Sequence, residues 1–184
     1  MITVNSRQEF LKELSVYSTP HYSNVAELGV LHGDFSRMIL DIIKPNWLVL
    51  VDPYKQGDKK YENGLTTEYS TNADFDNLIK KFAKEILRNQ ISLYKMPSYN
   101  AVALFPNDYF DIIYHDASHL YDDLKSDLKD WQPKLKLDGF MCGHDYIEHE
   151  DFGVINAVDE FCETSDFEMF LLNKNGGDYA LKRK

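Results

Sequence analysis

The sequence predicts a single α/β domain on a mostly parallel sheet with helices on both faces, and three observations carry that expectation. First, five short runs, VAELGV (25–30), WLVLVD (47–52), ISLYKM (91–96), FDIIYHD (110–116) and GFMCGHD (139–145), are β-branched and aromatic with little alternation of apolar and polar positions. Strands buried on both faces read that way. Second, the segments FSRMILDII, ADFDNLIKKFAKEILRN, a short SYNAVALF and LYDDLKSDLKDW lie between these runs and have helical spacing. Alternating strand and helix means parallel strands with right-handed crossovers. Third, the helical GVINAVDEFCET is followed by FEMFLL and DYALKR, joined by NKNGG. An Asn-Gly-Gly turn makes the last strand antiparallel to its neighbour. The start, SRQEFLKELSVY at about 6–17, reads as an N-capped amphipathic helix laid in front of the sheet. Residues 53–71 have no apolar period and form a long connection, so a mobile loop or lid near a ligand is expected there.

At 184 residues the chain can bury one sizeable core but not two, so residues 1–184 are read as one domain. Hydrophobic residues at 43% and charged residues at 27% exclude a disordered or membrane chain. No apolar run reaches the ~18–20 residues of a bilayer span, and MITVNSRQEFLKEL lacks the basic-then-apolar order of a secretory signal. A cytoplasmic protein is expected. The net charge of -10 argues against nucleic acid, whose binding needs a surface that displaces phosphate counterions. Cys142 and Cys162 are too few for a disulfide framework and lack metal-ligand spacing, which fits a reduced compartment.

In an open parallel sheet, ligands sit outside the carboxyl ends of the strands. Glu27, Gly29 and Gly33 frame the turn after the first run, Asp52 ends the second, Ser98 follows the third, HDASH follows the fourth and GHDY ends the fifth. Glycines there let the backbone approach a ligand, and an acid ending the second strand can accept from ribose hydroxyls. The spacing G-x-x-x-G departs from the G-x-G-x-x-G of dinucleotide enzymes, which disfavours a dehydrogenase.

With these residues the chain resembles a class I S-adenosylmethionine-dependent methyltransferase. It most resembles the small metal-assisted O-methyltransferase-like group of macrocin O-methyltransferases, which act on a macrolide sugar, and cephalosporin hydroxylase-like proteins. The matching stretches are VAELGVLHGDFS, LVLVDPY, FDIIYHDASHLYDDLKSDLKDWQPKLKLDGFMCGHDY and GVINAVDEF, roughly residues 23–163. The resemblance implies a Rossmann-like seven-stranded sheet with one antiparallel strand and a cofactor across its carboxyl edge. It implies Glu27, Gly29 and Gly33 beside the methionine part of S-adenosyl-L-methionine, Asp52 on the ribose, Ser98 near the adenine and Asp116 close to both cofactor and cation. Asp116, His144 and Asp145 then stand where the family binds magnesium, and His119 where it has its general base. His144 replaces the first member of an acidic pair; an imidazole for a hard oxygen shifts preference from magnesium towards manganese, iron or zinc.

These groups suit methyl transfer to oxygen. A cation stabilises the developing alkoxide and an imidazole takes the proton, a contribution of ~10²–10⁴-fold. Other roles fit the same residues. Asp52 could be a turn residue before Pro53, Asp116 a turn former, His119 a helix N-terminal residue capped by Ser118, and Asp145 a cofactor or loop-amide acceptor without any metal. His115 reads as packed under the sheet and His149 as an exposed loop residue. Tyr121, Asp122, Asp123, Asp127 and Asp130 read as a solvated helix face with one inward aromatic, and Met38, Met96 and Met141 as core. The expected partner is a small hydroxylated substrate, a sugar among the candidates. Its specificity would come from the N-terminal helix, residues 53–71 and residues 146–153, and a homodimer could complete the pocket. A protein that binds cofactor, or assists sugar modification, without catalysis is the alternative.

Overall fold

Strands that are apolar on both faces have one stable place, between two layers of helices. The computed structural model describes residues 1–17, 24–54 and 70–184. In chain order the elements are β1 (Ile2–Val4), α1 (Arg7–Tyr17), β2 (Asn24–Leu28), α2 (Asp34–Ile42), β3 (Trp47–Val51), α3 (Asn72–Lys81), α4 (Ala83–Leu87), β4 (Ile91–Tyr94), α5 (Ser98–Ala101), β5 (Phe110–His115), α6 (Tyr121–Trp131), β6 (Leu135–Gly143), α7 (Val154–Thr164), β7 (Phe167–Asn173) and β8 (Tyr179–Arg183). They form one mixed sheet in the order β1-β7-β8-β6-β5-β2-β3-β4. β8 pairs antiparallel with β6 and β7, and the remaining pairs are parallel.

Successive strand residues serve opposite cores. Val25, Leu48, Leu50, Ile112 and Tyr114 join Phe10, Leu14, Phe35 and Ile39 on one face. Ala26, Val49, Val51, Phe110 and Ile113 join Leu124, Leu128, Trp131 and Val158 on the other. Thus α1, α2 and α3 cover one side and α5, α6 and α7 the other.

Among the described residues the sheet has eight strands, not the expected seven. β1 adds to the edge by pairing Ile2, Thr3 and Val4 in parallel with Leu171, Leu172 and Asn173. Three residues are too short a run to show a period, and the pairing partner lies at the far end of the chain. The single helix expected over 73–89 is broken at Phe82, whose φ of -109 and ψ of 20 end α3. α3 itself starts at a capping box, with Asp74 N–H donating to Thr71 and Thr71 N–H donating to the Asp74 carboxylate. The loop expected at 53–71 lies mostly outside the described residues. Among the described residues no helix is long and apolar enough to cross a membrane.

Candidate active site

The chain moves outward from β2 through β3 to β4, then returns to place β5 on the other side of β2. The crevice between β2 and β5 is therefore the switch point where ligands bind in open α/β sheets. Backbone bonds beyond the strand ends fix this edge. Asp116 N–H donates to Leu28 O at 2.7 Å, His144 N–H to His115 O at 3.1 Å, and Gly29 N–H to Val51 O at 2.9 Å.

Gly29 has φ +88, and a Cβ there would lie 2.0 Å from the Asp116 carbonyl oxygen. Only glycine lets the β2 turn approach the β5 turn so closely. Gly33, at φ +70, answers a different need: its Cβ would meet Leu78 Cδ1 at 2.5 Å and Phe82 Cε2 at 2.7 Å, where α2 enters against α3. The space beside Gly33 is filled by protein.

Asp116, His144 and Asp145 bring one ligand atom each to within 4.8 Å of one another. Asp145 Oδ2 stands 3.0 Å from His119 Nε2 and 3.1 Å from His144 Nδ1. Asp116 Oδ1 is 3.8 Å from each of the same two nitrogens. Asp145 takes φ 59, the left-handed region that aspartate tolerates better than most residues. Burial would lower His119, but hydrogen bonding to Asp116 and Asp145 outweighs it and the imidazole is pushed up to about 9. His144 is raised by Asp145 against the same effect of burial. Burial would raise Asp145, and the two imidazoles instead hold it well below the usual carboxylate range. His119 precedes α6 rather than belonging to it; Leu120 is the helix N-cap and Ser118 bonds Asp123. Phe152 meets the His119 ring edge-on at 4.7 Å.

Glu27 is 1% exposed and its Oε2 has no hydrogen-bond partner among the described residues. Burial outweighs the lowering effect of the Ser36 hydroxyl and, with Asp116 adding to it, pushes Glu27 up to about 8. Asp52 accepts from Val30 N–H at 2.9 Å and Leu31 N–H at 3.1 Å through Oδ2, and from Tyr54 N–H at 2.9 Å and the Ser70 hydroxyl through Oδ1. It ties three connections together, so a ribose diol there must share or displace Ser70. Ser98 donates to both Asp127 oxygens, at 2.7 and 2.9 Å. Asp127 is thus buried and not part of the solvated face expected for α6; burial pushes it up to about 6. His115 is buried against Met141 as expected, its Nε2 2.9 Å from the thioether, and burial lowers it to about 3. His149 is exposed, also as expected.

Two site residues escaped the sequence reading. Arg7 Nε donates to Asp178 at 2.8 Å and Nη2 stands 3.6 Å from Asp116. Asp178 is fully buried and accepts also from Tyr114 and from Asn173 Nδ2 at 2.7 Å. The partners are 171 positions apart, and no spacing rule joins them; an acid closing the Asn-Gly-Gly turn at the mouth of a buried strand was the available signal.

A mostly parallel sheet of this order, open at its switch point and with an acid ending β3, has the fold of the class I S-adenosylmethionine-dependent methyltransferases. Residues 26–146 match the family described as methyltransferase domain, and the chain belongs to that family. Its backbone is similar to that of the O-methyltransferase NovP, with a TM-score of 0.69 at 17% identity over 97% of this chain and 79% of that one. An rRNA methylase from Streptococcus thermophilus gives 0.60 at 11% identity over 96% and 93%. SMU.1697c from Streptococcus mutans, solved in complex with SAH, gives 0.64 at 10% over 97% of each chain. At these identities the likeness is one of fold. No protein of curated function matches the sequence.

Proposed function

We propose that this protein is an S-adenosylmethionine-dependent O-methyltransferase of a small hydroxylated molecule, a sugar by preference, assisted by a divalent cation, in the macrocin O-methyltransferase-like group. The observation that carries the proposal is the convergence of Asp116, His144 and Asp145 within 4.8 Å, with His119 on the same carboxylates. The residues fit both groups. Glu27 leaves a buried oxygen open at the Gly29 turn, and two carboxylates with one imidazole form a donor set suited to manganese, iron or zinc more than to magnesium. Glu27, Gly29, Asp52, Ser98 and Asp116 would hold the cofactor, with Gly33 shaping the turn through its packing on Leu78 and Phe82, and Asp116, His144 and Asp145 would hold the cation.

S-adenosylmethionine would supply an electrophilic methyl group. A divalent cation would make the acceptor hydroxyl more acidic. His119 Nε2 is the atom that takes the acceptor proton, after losing the one that Asp116 and Asp145 stabilise on it. Phe152 shields one edge of that ring and opens on a groove of about 760 Å³ that includes Ile147, Glu148, His149, Glu150 and Ile155. Phe152 and His149 stack at 4.2 Å, a flat wall for a sugar ring, and the carboxylates can accept from its hydroxyls.

A second reading, cofactor binding without a cation or transfer, draws on charge balance: two imidazoles already face Asp145, and Arg7 stands by Asp116. Calorimetry separates the two. One-to-one Mn²⁺ binding, abolished in Asp116→Ala/Asp145→Ala, supports the enzyme; absence of Mn²⁺ binding by a protein that still binds SAH supports the second reading. Failure to bind either SAH or S-adenosylmethionine sinks both.

A further inference from the structure

Asp52 already has a full set of donors, and one of them is built to leave. A carboxylate offers about four lone-pair positions over its two oxygens. Oδ2 takes the Val30 and Leu31 N–H groups at 2.9 and 3.1 Å, and Oδ1 takes the Tyr54 N–H at 2.9 Å and the Ser70 hydroxyl. The first three are backbone groups held from elsewhere. Gly33 N–H closes the turn after β2 by donating to Val30 O at 2.9 Å, and the Tyr54 ring is buried with its hydroxyl donating to Leu31 O at 3.2 Å. The Ser70 donor is a side-chain hydroxyl that a single χ1 rotation withdraws. Its withdrawal leaves α3 intact, because that helix begins at its own capping box of Thr71 and Asp74 and is anchored by buried Leu78.

Asp52 is 6% exposed and Ser70 8%. A carboxylate so buried is costly to leave short of donors. A ligand hydroxyl that reaches Oδ1 therefore finds its place taken, and it must supply the hydrogen bond that it displaces. The two adjacent hydroxyls of a ribose can do so. We propose that Ser70 is an intramolecular stand-in for a ligand diol on Asp52, so that a diol-bearing nucleoside enters by exchange against the serine hydroxyl rather than by addition beside it. The inference rests on the cofactor reading above. The exchange replaces one hydroxyl-to-carboxylate bond with another, so Ser70 lowers nucleoside affinity by the strength of the bond given up. In return, the carboxylate keeps a donor each time the nucleoside departs.

The test titrates SAH and its 2′,3′-dideoxy analogue calorimetrically into the full chain and into Ser70→Ala. The variant should bind SAH about fivefold or more tightly than the native protein, the scale of one such bond, and should gain nothing on the analogue. Ser70→Thr keeps the hydroxyl and should stay within about twofold of native for SAH. Urea melts give a second readout: Ser70→Ala should lose stability without ligand and match the native protein at saturating SAH. Should Ser70→Ala fail to fold, Ser70→Cys, a weaker donor, must shift SAH affinity in the same direction. Weaker SAH binding by Ser70→Ala would make Ser70 a ligand contact, and unchanged binding would mean that the diol does not compete with it. An equal gain for both nucleosides would place the effect away from the diol. Each of these overturns the inference. Failure of both the native protein and Ser70→Ala to bind SAH fails the cofactor reading itself, a distinct result.

Discussion

His119 and Asp145 hold each other in their charged forms, and the exchange is measurable at the level of one ring. The imidazole moves from its ordinary 6.5 up to about 9 because two carboxylates face Nε2 across 3.0 and 3.8 Å. Removing the nearer charge should return it towards neutrality. In the cation-free protein, NMR titration of His119 should give a value above 8 in native protein and at least about one unit lower in Asp145→Asn, since one unit corresponds to ~1.4 kcal/mol of lost interaction. The same shift has a sign for stability. A group raised on folding contributes fully below its unfolded value and loses the contribution as pH rises through its folded one, so this pair stabilises below about 6.5 and fades through about 9. An unshifted titration in Asp145→Asn would remove Asp145 from the pair. The residue types at this site were legible in the sequence because they follow strand ends. Arg7 was not, since nothing in SRQEFLKEL marks which side chain turns back over α2.

At the scale of elements, most of the sheet followed from the runs of apolar residues, and the discrepancies have physical causes. Asp127 lies at i+3 from Leu124, one step before Leu128 and four before Trp131, all buried; the helical period itself places it on the inner face. Acidic neighbours at 122, 123 and 130 hid that. The two glycines of G-x-x-x-G looked equivalent in sequence and are not. A Cβ at Gly29 would come 2.0 Å from a backbone carbonyl, one at Gly33 2.5 and 2.7 Å from the tips of Leu78 and Phe82. Both carry positive φ, which costs an L-residue roughly 1–2 kcal/mol, but a backbone cannot step aside as a leucine methyl can. Gly29→Ala should therefore destabilise by several kcal/mol more than strain alone, separating the β2 and β5 turns, while Gly33→Ala stays nearer the strain value. Urea melts of the two variants compare them directly; equal losses would mean that the β2 turn can retreat from Asp116.

For the whole molecule, a buried carboxyl at the switch point couples global stability to pH. Glu27 is buried near the end of β2, and burial lifts it from an ordinary 4.5 to about 8. Between those values the folded chain keeps a proton that the unfolded chain has released. With more protons on the folded side, stability falls as pH rises. The gradient is about 1.4 kcal/mol per pH unit within the window and vanishes above it. Glu27→Gln keeps the shape of the protonated side chain and removes the titration. Denaturant melts of both proteins at pH 5, 7 and 9 should show nearly equal stability at pH 5 and a growing advantage for Glu27→Gln at pH 7 and 9. Parallel pH profiles would mean that the carboxyl is ionised in the fold, held by its Ser36 neighbour against the cost of burial. Saturating SAH offers an independent check on the same proton. Under the proposed cofactor reading, with the methionine half beside Glu27, its ammonium would favour the ionised carboxylate, so binding at pH 7 should release protons from the native protein, and calorimetry in two buffers of different ionisation enthalpy should detect less release from Glu27→Gln.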